Sequence, residues 1–179
     1  FVSVRLVADD GIAAEAIFAF GTARASALDY ERLPPPLVGP PDTSQQFFPQ
    51  AEMGPAFARQ FDMLLAAGSR PVSGAEEADM SLWMRHRDPQ APLDAVALLA
   101  LADAPPPAAM SLFKAPGRIS SMTWMAEFLT GTIETADSWF LARHVAQTAR
   151  DGYSSQSMTI WNSAGQPVMT GRQSVAVFA

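Results

Sequence analysis

Asp103 is the residue whose type and position most strongly suggest chemistry in this sequence. It directly follows eight consecutive apolar residues, 95–102. A carboxylate that ends a helix lies at the unfavourable end of the helix dipole, and partial burial raises its pKa further. Both effects predict a better general base than a surface aspartate. The alternative is a solvated acid just beyond a helix end.

Gln173 is the second candidate, because a strand pattern over residues 168–178 places it among apolar side chains. Alternation puts it on the face of Met169 and Val175, whereas Arg172 and Ser174 lie on the other face. An amide on a core face that finds no hydrogen bond costs about 1–3 kcal/mol. Gln173 is therefore either a site residue or a structural amide bonded to backbone.

Ser121 opens the strand that follows a proline-rich loop, next to Ser120. Adjacent serines at the start of a strand are common, so this position alone predicts no function. No Gly-x-Ser-x-Gly sequence surrounds it, which argues against a serine nucleophile on a strand-to-helix turn.

The residue types needed for metal or nucleotide chemistry are sparse. The chain has no cysteine and two histidines, His86 and His144. Arg85 and Arg87 flank His86, and their charge disfavours a metal cation. Alternation with apolar residues is compatible with an inward His144. Two separated histidines do not predict a metal site, and no glycine-rich phosphate loop or dinucleotide motif is present.

The composition limits the possible partners. Of the 179 residues, 49% are hydrophobic and 17% are charged, which predicts a packed core. The net charge of −6 and the lack of a basic cluster make nucleic acid and anionic membrane surfaces poor partners. The apolar run 95–102 is shorter than the ~20 residues of a membrane span. With no cysteine to suggest an oxidising compartment, we expect a cytoplasmic protein.

A buried helix is predicted to carry Asp103. Pro92 suits a first helical position, and residues 95–102 are apolar on every side, which predicts a helix buried all round. Pro105-Pro106-Pro107 end it near Asp103. Strands are expected before it, at 57–66 and 80–87.

The strands after the helix complete the predicted fold. Strands are expected at 119–130, 138–149, 153–161 and 168–178, and Asp151-Gly152 predicts a hairpin between the second and third of these. Two strands, a buried helix and four strands predict an α+β hotdog fold, in which an antiparallel sheet wraps around a central helix.

The N-terminal part has a different pattern. Apolar residues 1–8 and 12–20 predict a hairpin around Asp10-Gly11. A lone hairpin is marginally stable, so we expect either residues upstream of Phe1 or docking on the main sheet. Six prolines between residues 33 and 50 predict an extended linker. The predicted division is 1–30, 31–50 and 51–179.

These motifs together resemble the acyl-CoA thioesterase II-like proteins of the thioesterase-like superfamily, which have a double-hotdog fold. Residues 1–20 resemble the end of a first hotdog, incomplete here, and residues from about 47 resemble a second. The resemblance implies that an Asp, a Ser or Thr, and a Gln together hold a hydrolytic water. The matching sequences are Leu-Ala-Leu-Ala-Asp103, Ser121-Met-Thr-Trp124 and Gly-Arg-Gln173-Ser-Val.

The resemblance implies hydrolysis of acyl-CoA thioesters to free acid and CoA, with no metal or organic cofactor and with homo-oligomers formed through sheet edges. Thr123-Trp124 replaces the Asp-His that follows the Ser or Thr in the family. This change keeps open a non-catalytic hotdog that binds acyl-CoA or a protein partner. A hydratase, which normally needs an Asp–His pair, is disfavoured because no histidine lies near Asp103 or Ser121 in sequence.

Overall fold

The computed structural model describes residues 1–49 and 54–178. The chain forms two compact units, Phe1–Glu31 and Arg32–Ala179. The finer division into 1–30, 31–50 and 51–179 stays a prediction.

The first unit is an antiparallel hairpin of β1 (Val2–Ala8) and β2 (Gly11–Phe18). Its turn lies one residue earlier than predicted, because Gly11 already pairs with Ala8 in the ladder. One face is apolar, with Val2, Val4 and Leu6 opposite Phe18, Ala16 and Ala14. On the other face the Arg5 Nε and Glu15 Oε1 atoms form an ion pair at 2.9 Å.

The described part of the second unit contains one antiparallel sheet and one α-helix. The strands are β3 (Gln45–Gln46), β4 (Phe61–Gly68), β5 (Asp79–His86), β6 (Arg118–Phe128), β7 (Phe140–Arg150), β8 (Tyr153–Asn162) and β9 (Pro167–Phe178). Their order across the sheet is β3-β4-β5-β7-β8-β9-β6. The helix α1 spans Ala95–Asp103. This is the hotdog architecture expected from the sequence.

The predicted turn between β7 and β8 is confirmed. Asp151 and Gly152 both have positive φ, 53° and 79°, as a two-residue type I′ hairpin requires. The predicted strand at 57–66 is wrong in its first part, because Ala56–Gln60 form a 3₁₀ helix and the strand begins at Phe61. Pro55 precedes this turn, and Ala-Phe-Ala-Arg-Gln has little of the β-branched character that favours a strand.

The helix α1 begins later than predicted and is buried on one side. Asp94, not a position near Pro92, caps it, since the Asp94 Oδ1 atom accepts from the Ala97 N–H at 2.8 Å. Leu98 and Leu101 are buried, but Val96 is 76% exposed. The prediction of burial all round is therefore wrong, because the sheet covers only one face of the helix.

Residues 32–49, the first part of the second unit, pack on its sheet. The indole Nε1 of Trp161 donates to the Leu33 carbonyl at 2.6 Å, and that of Trp83 donates to the Gly39 carbonyl at 2.8 Å. Phe47 is 1% exposed and belongs to the main core. The proline-rich segment is thus anchored by side chains of the sheet.

One segment of the described chain, 95–112, passes the length and composition test for a membrane span. It comprises α1, the prolines and a 3₁₀ helix at Ala108–Leu112, and 44% of it is buried inside the protein. A core helix passes the same test, so this segment is weak evidence for a membrane span.

Candidate active site

A cavity of about 750 Å³ lies at the C-terminal end of α1. Asp103, Ser121 and Gln173, the three candidates from the sequence, all line it. The other walls are mainly apolar. They include Phe47, Phe48, Phe57, Pro105, Pro106, Pro107, Met110 and Ile119.

Ser121 and Gln173 come together because their strands are neighbours. In the β6–β9 ladder Ser121 is opposite Val175, so it lies on the same sheet face as Gln173, with a bulge at Met122. The Gln173 Nε2 atom donates to the Ser121 Oγ atom at 2.8 Å. A serine with no recognisable motif thereby becomes part of a polar pair inside the cavity.

Asp103 lines the same cavity but forms no hydrogen bond with either residue of this pair in the described chain. Its carboxylate takes part in none of the side-chain hydrogen bonds found within residues 1–49 and 54–178. Although the side chain is exposed, the apolar surroundings partly desolvate the carboxylate and raise its pKa. The oxygens of Asp103 can therefore accept hydrogen bonds from a substrate or from water.

Arg70 is a cavity residue that the sequence did not reveal. Its guanidinium donates to the Gln46 carbonyl at 2.8 Å and to the Phe47 carbonyl at 3.2 Å. It lies in the connection after β4, where neither periodicity nor a motif marks it. Arg70 holds the segment that carries Phe47 and Phe48 into the cavity wall.

Neither histidine lies in this cavity. His144 is buried on the inner sheet face, and desolvation lowers its pKa to about 4, so it is neutral at neutral pH. The His86 Nε2 atom lies 2.9 Å from the Ala97 carbonyl, beside a second cavity of about 270 Å³ at the N-terminal end of α1. Arg85 and Arg87 line this second cavity, and they pair with Asp62 at 2.9 Å and 3.1 Å.

The sheet, the helix and the cavity define a hotdog-fold protein. Residues 32–177 match the family model of the acyl-CoA thioesterase C-terminal domain. The chain belongs to this family.

Solved structures share the fold at low sequence identity. A hot dog fold protein from Alicyclobacillus acidocaldarius is 24% identical, with a TM-score of 0.79 over 99% of this chain and 66% of that one. The tesB protein of Mycobacterium avium subs paratuberculosis is 19% identical, with a TM-score of 0.74 over 99% and 65%. The acyl-CoA thioesterase II TesB2 of Mycobacterium marinum is 18% identical, with a TM-score of 0.58 over 92% and 61%.

This chain spans just under two thirds of the length of the first two structures. A search of the curated proteins found no match to the sequence.

Proposed function

We propose that this protein hydrolyses acyl-CoA thioesters to a free acid and CoA, with a water molecule held by Asp103, Ser121 and Gln173. The observation that carries the proposal is the hydrogen bond from Gln173 to Ser121 inside a cavity that Asp103 also lines. Membership of the thioesterase family supports the reaction class.

In this mechanism the water oxygen attacks the thioester carbonyl carbon while Asp103 accepts a proton from the water. The carbon–sulfur bond then breaks, and the departing thiolate takes up the proton, so free acid and CoA leave. Desolvation raises the pKa of Asp103 above its ordinary value and so makes the carboxylate a stronger base. General-base assistance contributes about 10²–10⁴-fold.

The apolar walls of the cavity suit an acyl chain. The negatively charged oxygen that forms when water attacks the thioester carbonyl needs N–H donors. Pro105, Pro106 and Pro107 line the cavity but carry no backbone N–H, so that wall cannot supply them at these three positions. Gln173 lines the cavity, and the second N–H of its amide, not donated to Ser121, is a candidate donor.

The wider organisation is also a proposal. The chain would act as the second half of a double hotdog in the cytoplasm, with the hairpin of β1 and β2 supplying the last strands of the first half. Oligomers would form through sheet edges. The edge strand β6 supports this idea, because Met122 and Met125 on it are 58% and 49% exposed.

A binding module that does not turn over acyl-CoA is the second candidate. Asp103 makes no hydrogen bond to Ser121 or Gln173 among the described contacts, and Trp124, adjacent to Gln173 in the ladder, stands where the family has a histidine. Both observations favour a site that binds acyl-CoA in the cavity but does not hydrolyse it.

Thiol release from a panel of acyl-CoAs of increasing chain length tests the proposal. Asp103→Asn should lower kcat about 100-fold or more, because an amide cannot accept the proton. Asp94→Asn is the matched control on the same helix, since asparagine caps a helix as well as aspartate does, and its kcat should equal that of the wild type.

Equal rates for wild type and Asp103→Asn would remove Asp103 from the mechanism. If the wild type releases thiol from no acyl-CoA but binds one in calorimetry, the binding module is the better description.

A further inference from the structure

Gln173 is flanked on both neighbouring strands by side chains that carry an N–H group. Its partner in the ladder on β8 is Gln156, and its partner on β6 is Trp124. Directly opposite residues of an antiparallel pair lie on one face, with Cβ atoms about 4.5–5.5 Å apart. The Gln173 side chain therefore stands between the other two on the inner face of the sheet.

Both flanking groups have an unused donor. Gln156 is 3% exposed, and neither its Nε2 atom nor the buried Trp124 Nε1 atom has a hydrogen-bond partner within the described part of the chain. Buried donors in native proteins are nearly always paired. Because these two donors lie on either side of the Gln173 amide, we expect an acceptor between them.

A hydrogen bond from the segment that follows α1 already fixes the orientation of the Gln156 side-chain amide. The backbone N–H of Ala109, in the 3₁₀ helix that follows the prolines, donates to the Gln156 Oε1 atom at 3.3 Å. A backbone N–H cannot accept, so this contact requires the carbonyl end of the Gln156 amide. The Nε2 end is thereby left to donate elsewhere.

The orientation of Gln173 is not fixed by Ser121 alone. A serine hydroxyl can donate as well as accept, so it is compatible with either end of the Gln173 amide. The Gln173 Oε1 atom has two lone pairs, which match the two unused donors in number. With Oε1 held by them, Nε2 must face Ser121, as it does at 2.8 Å.

We propose that Gln156 and Trp124 are positioning residues, which donate to the Gln173 Oε1 atom through ordered water and so fix the Gln173 amide with Nε2 on Ser121. Ser121 then accepts from Gln173 and must direct its own hydrogen into the cavity. The inference rests on the proposed function for its catalytic consequence, because this hydrogen would orient the hydrolytic water. The arrangement of the three side chains does not depend on the reaction.

The kinetic test removes each N–H group. Gln156→Met nearly keeps the side-chain volume, and Trp124→Phe keeps an aromatic ring. Gln156→Met and Trp124→Phe should each lower kcat about 5- to 10-fold, as expected when one hydrogen bond is lost, and should leave KM within about twofold. In a Gln173→Ala background the same substitutions should have no further effect on kcat, because positioning acts only through Gln173. Ser154→Ala, at a buried position of β8 two residues from Gln156, is the matched control and should match the wild type.

The second test does not need turnover. In ¹H–¹⁵N spectra of the whole chain, the side-chain amide signal of Gln173, assigned from its loss in Gln173→Ala, should shift in Gln156→Met and in Trp124→Phe but not in Ser154→Ala. If the wild type hydrolyses no acyl-CoA, the proposed function fails, and this signal still decides the positioning role.

An unmoved Gln173 signal in both variants would overturn the inference. A loss of kcat that persists in full in the Gln173→Ala background would also overturn it, because the two residues would then act on the structure in general. Since the two substitutions lie on different strands, a folding defect in one leaves the other as the test.

Discussion

The two ends of α1 hold the same kind of residue in opposite circumstances. At the N-terminal end, beside the cavity of about 270 Å³, Asp94 accepts from the Ala97 N–H, and Arg85 and Arg87 of the cavity lining pair with Asp62. At the C-terminal end, beside the cavity of about 750 Å³, Asp103 has no such partner among the described residues. Polar groups that satisfy one another stabilise a fold, whereas an unpaired carboxylate is available to a substrate.

The helix dipole sharpens the difference. A carboxylate is favourable at a helix N-terminus and unfavourable at a C-terminus, so Asp94 stabilises α1 where Asp103 opposes it. Desolvation adds to the cost at Asp103 by raising its pKa. A residue that the fold does not require at that position is a better candidate for chemistry.

After Asp103→Asn, Ser121→Ala should give the largest loss of activity at the C-terminal end of α1. It removes the hydrogen bond from Gln173, and a loss of about 1.4 kcal/mol in the transition state lowers kcat/KM about tenfold. Ser120→Ala is the control, since alternation turns that neighbour to the other face of β6. Thiol-release kinetics measure both, and similar losses in the two variants would contradict a specific role for Ser121.

Asp94→Ala should affect stability and leave catalysis unchanged. Loss of the cap on α1 should lower the free energy of unfolding by about 1 kcal/mol, as measured by chemical denaturation. The kcat for acyl-CoA hydrolysis should stay at the wild-type value. A large fall in kcat would mean that the two ends of the helix are not separate in function.

Asp103→Asn should have the smallest effect on stability, with a sign opposite to that of Asp94→Ala. The pKa of Asp103 is raised in the folded state, so folding disfavours its charged form, and this cost is present above the folded pKa and disappears as the pH falls below the unfolded value of 3.8. At neutral pH the variant should therefore melt slightly above the wild type, and the difference should close towards pH 4.

Melting temperatures between pH 4 and 8 measure this difference. A variant that melts below the wild type at neutral pH would show that Asp103 stabilises the fold, which would remove the contrast with Asp94. In the same range, thiol release by the wild type should fall as acid protonates Asp103.

Local signals in the sequence were sufficient for much of the fold. Asp151-Gly152 predicted the turn that forms, and the proline run predicted where α1 ends. Predictions from local signals were wrong where other parts of the chain determine burial or the start of an element. Val96 is exposed although the helix is apolar all round, because no described element covers that side, and the first residues predicted in β4 form a 3₁₀ turn after Pro55.

The sequence by itself determined the end of the apolar run at Asp103 and the strand phase that turns Gln173 inward, since both follow from periodicity within one element. Only the tertiary structure decided that Ser121, 52 residues away in the chain, pairs with Gln173 and that Gln156 and Trp124 flank it. The physical reason is that the register between β6, β9 and β8 is set by packing across the whole sheet. No short stretch of sequence contains that information.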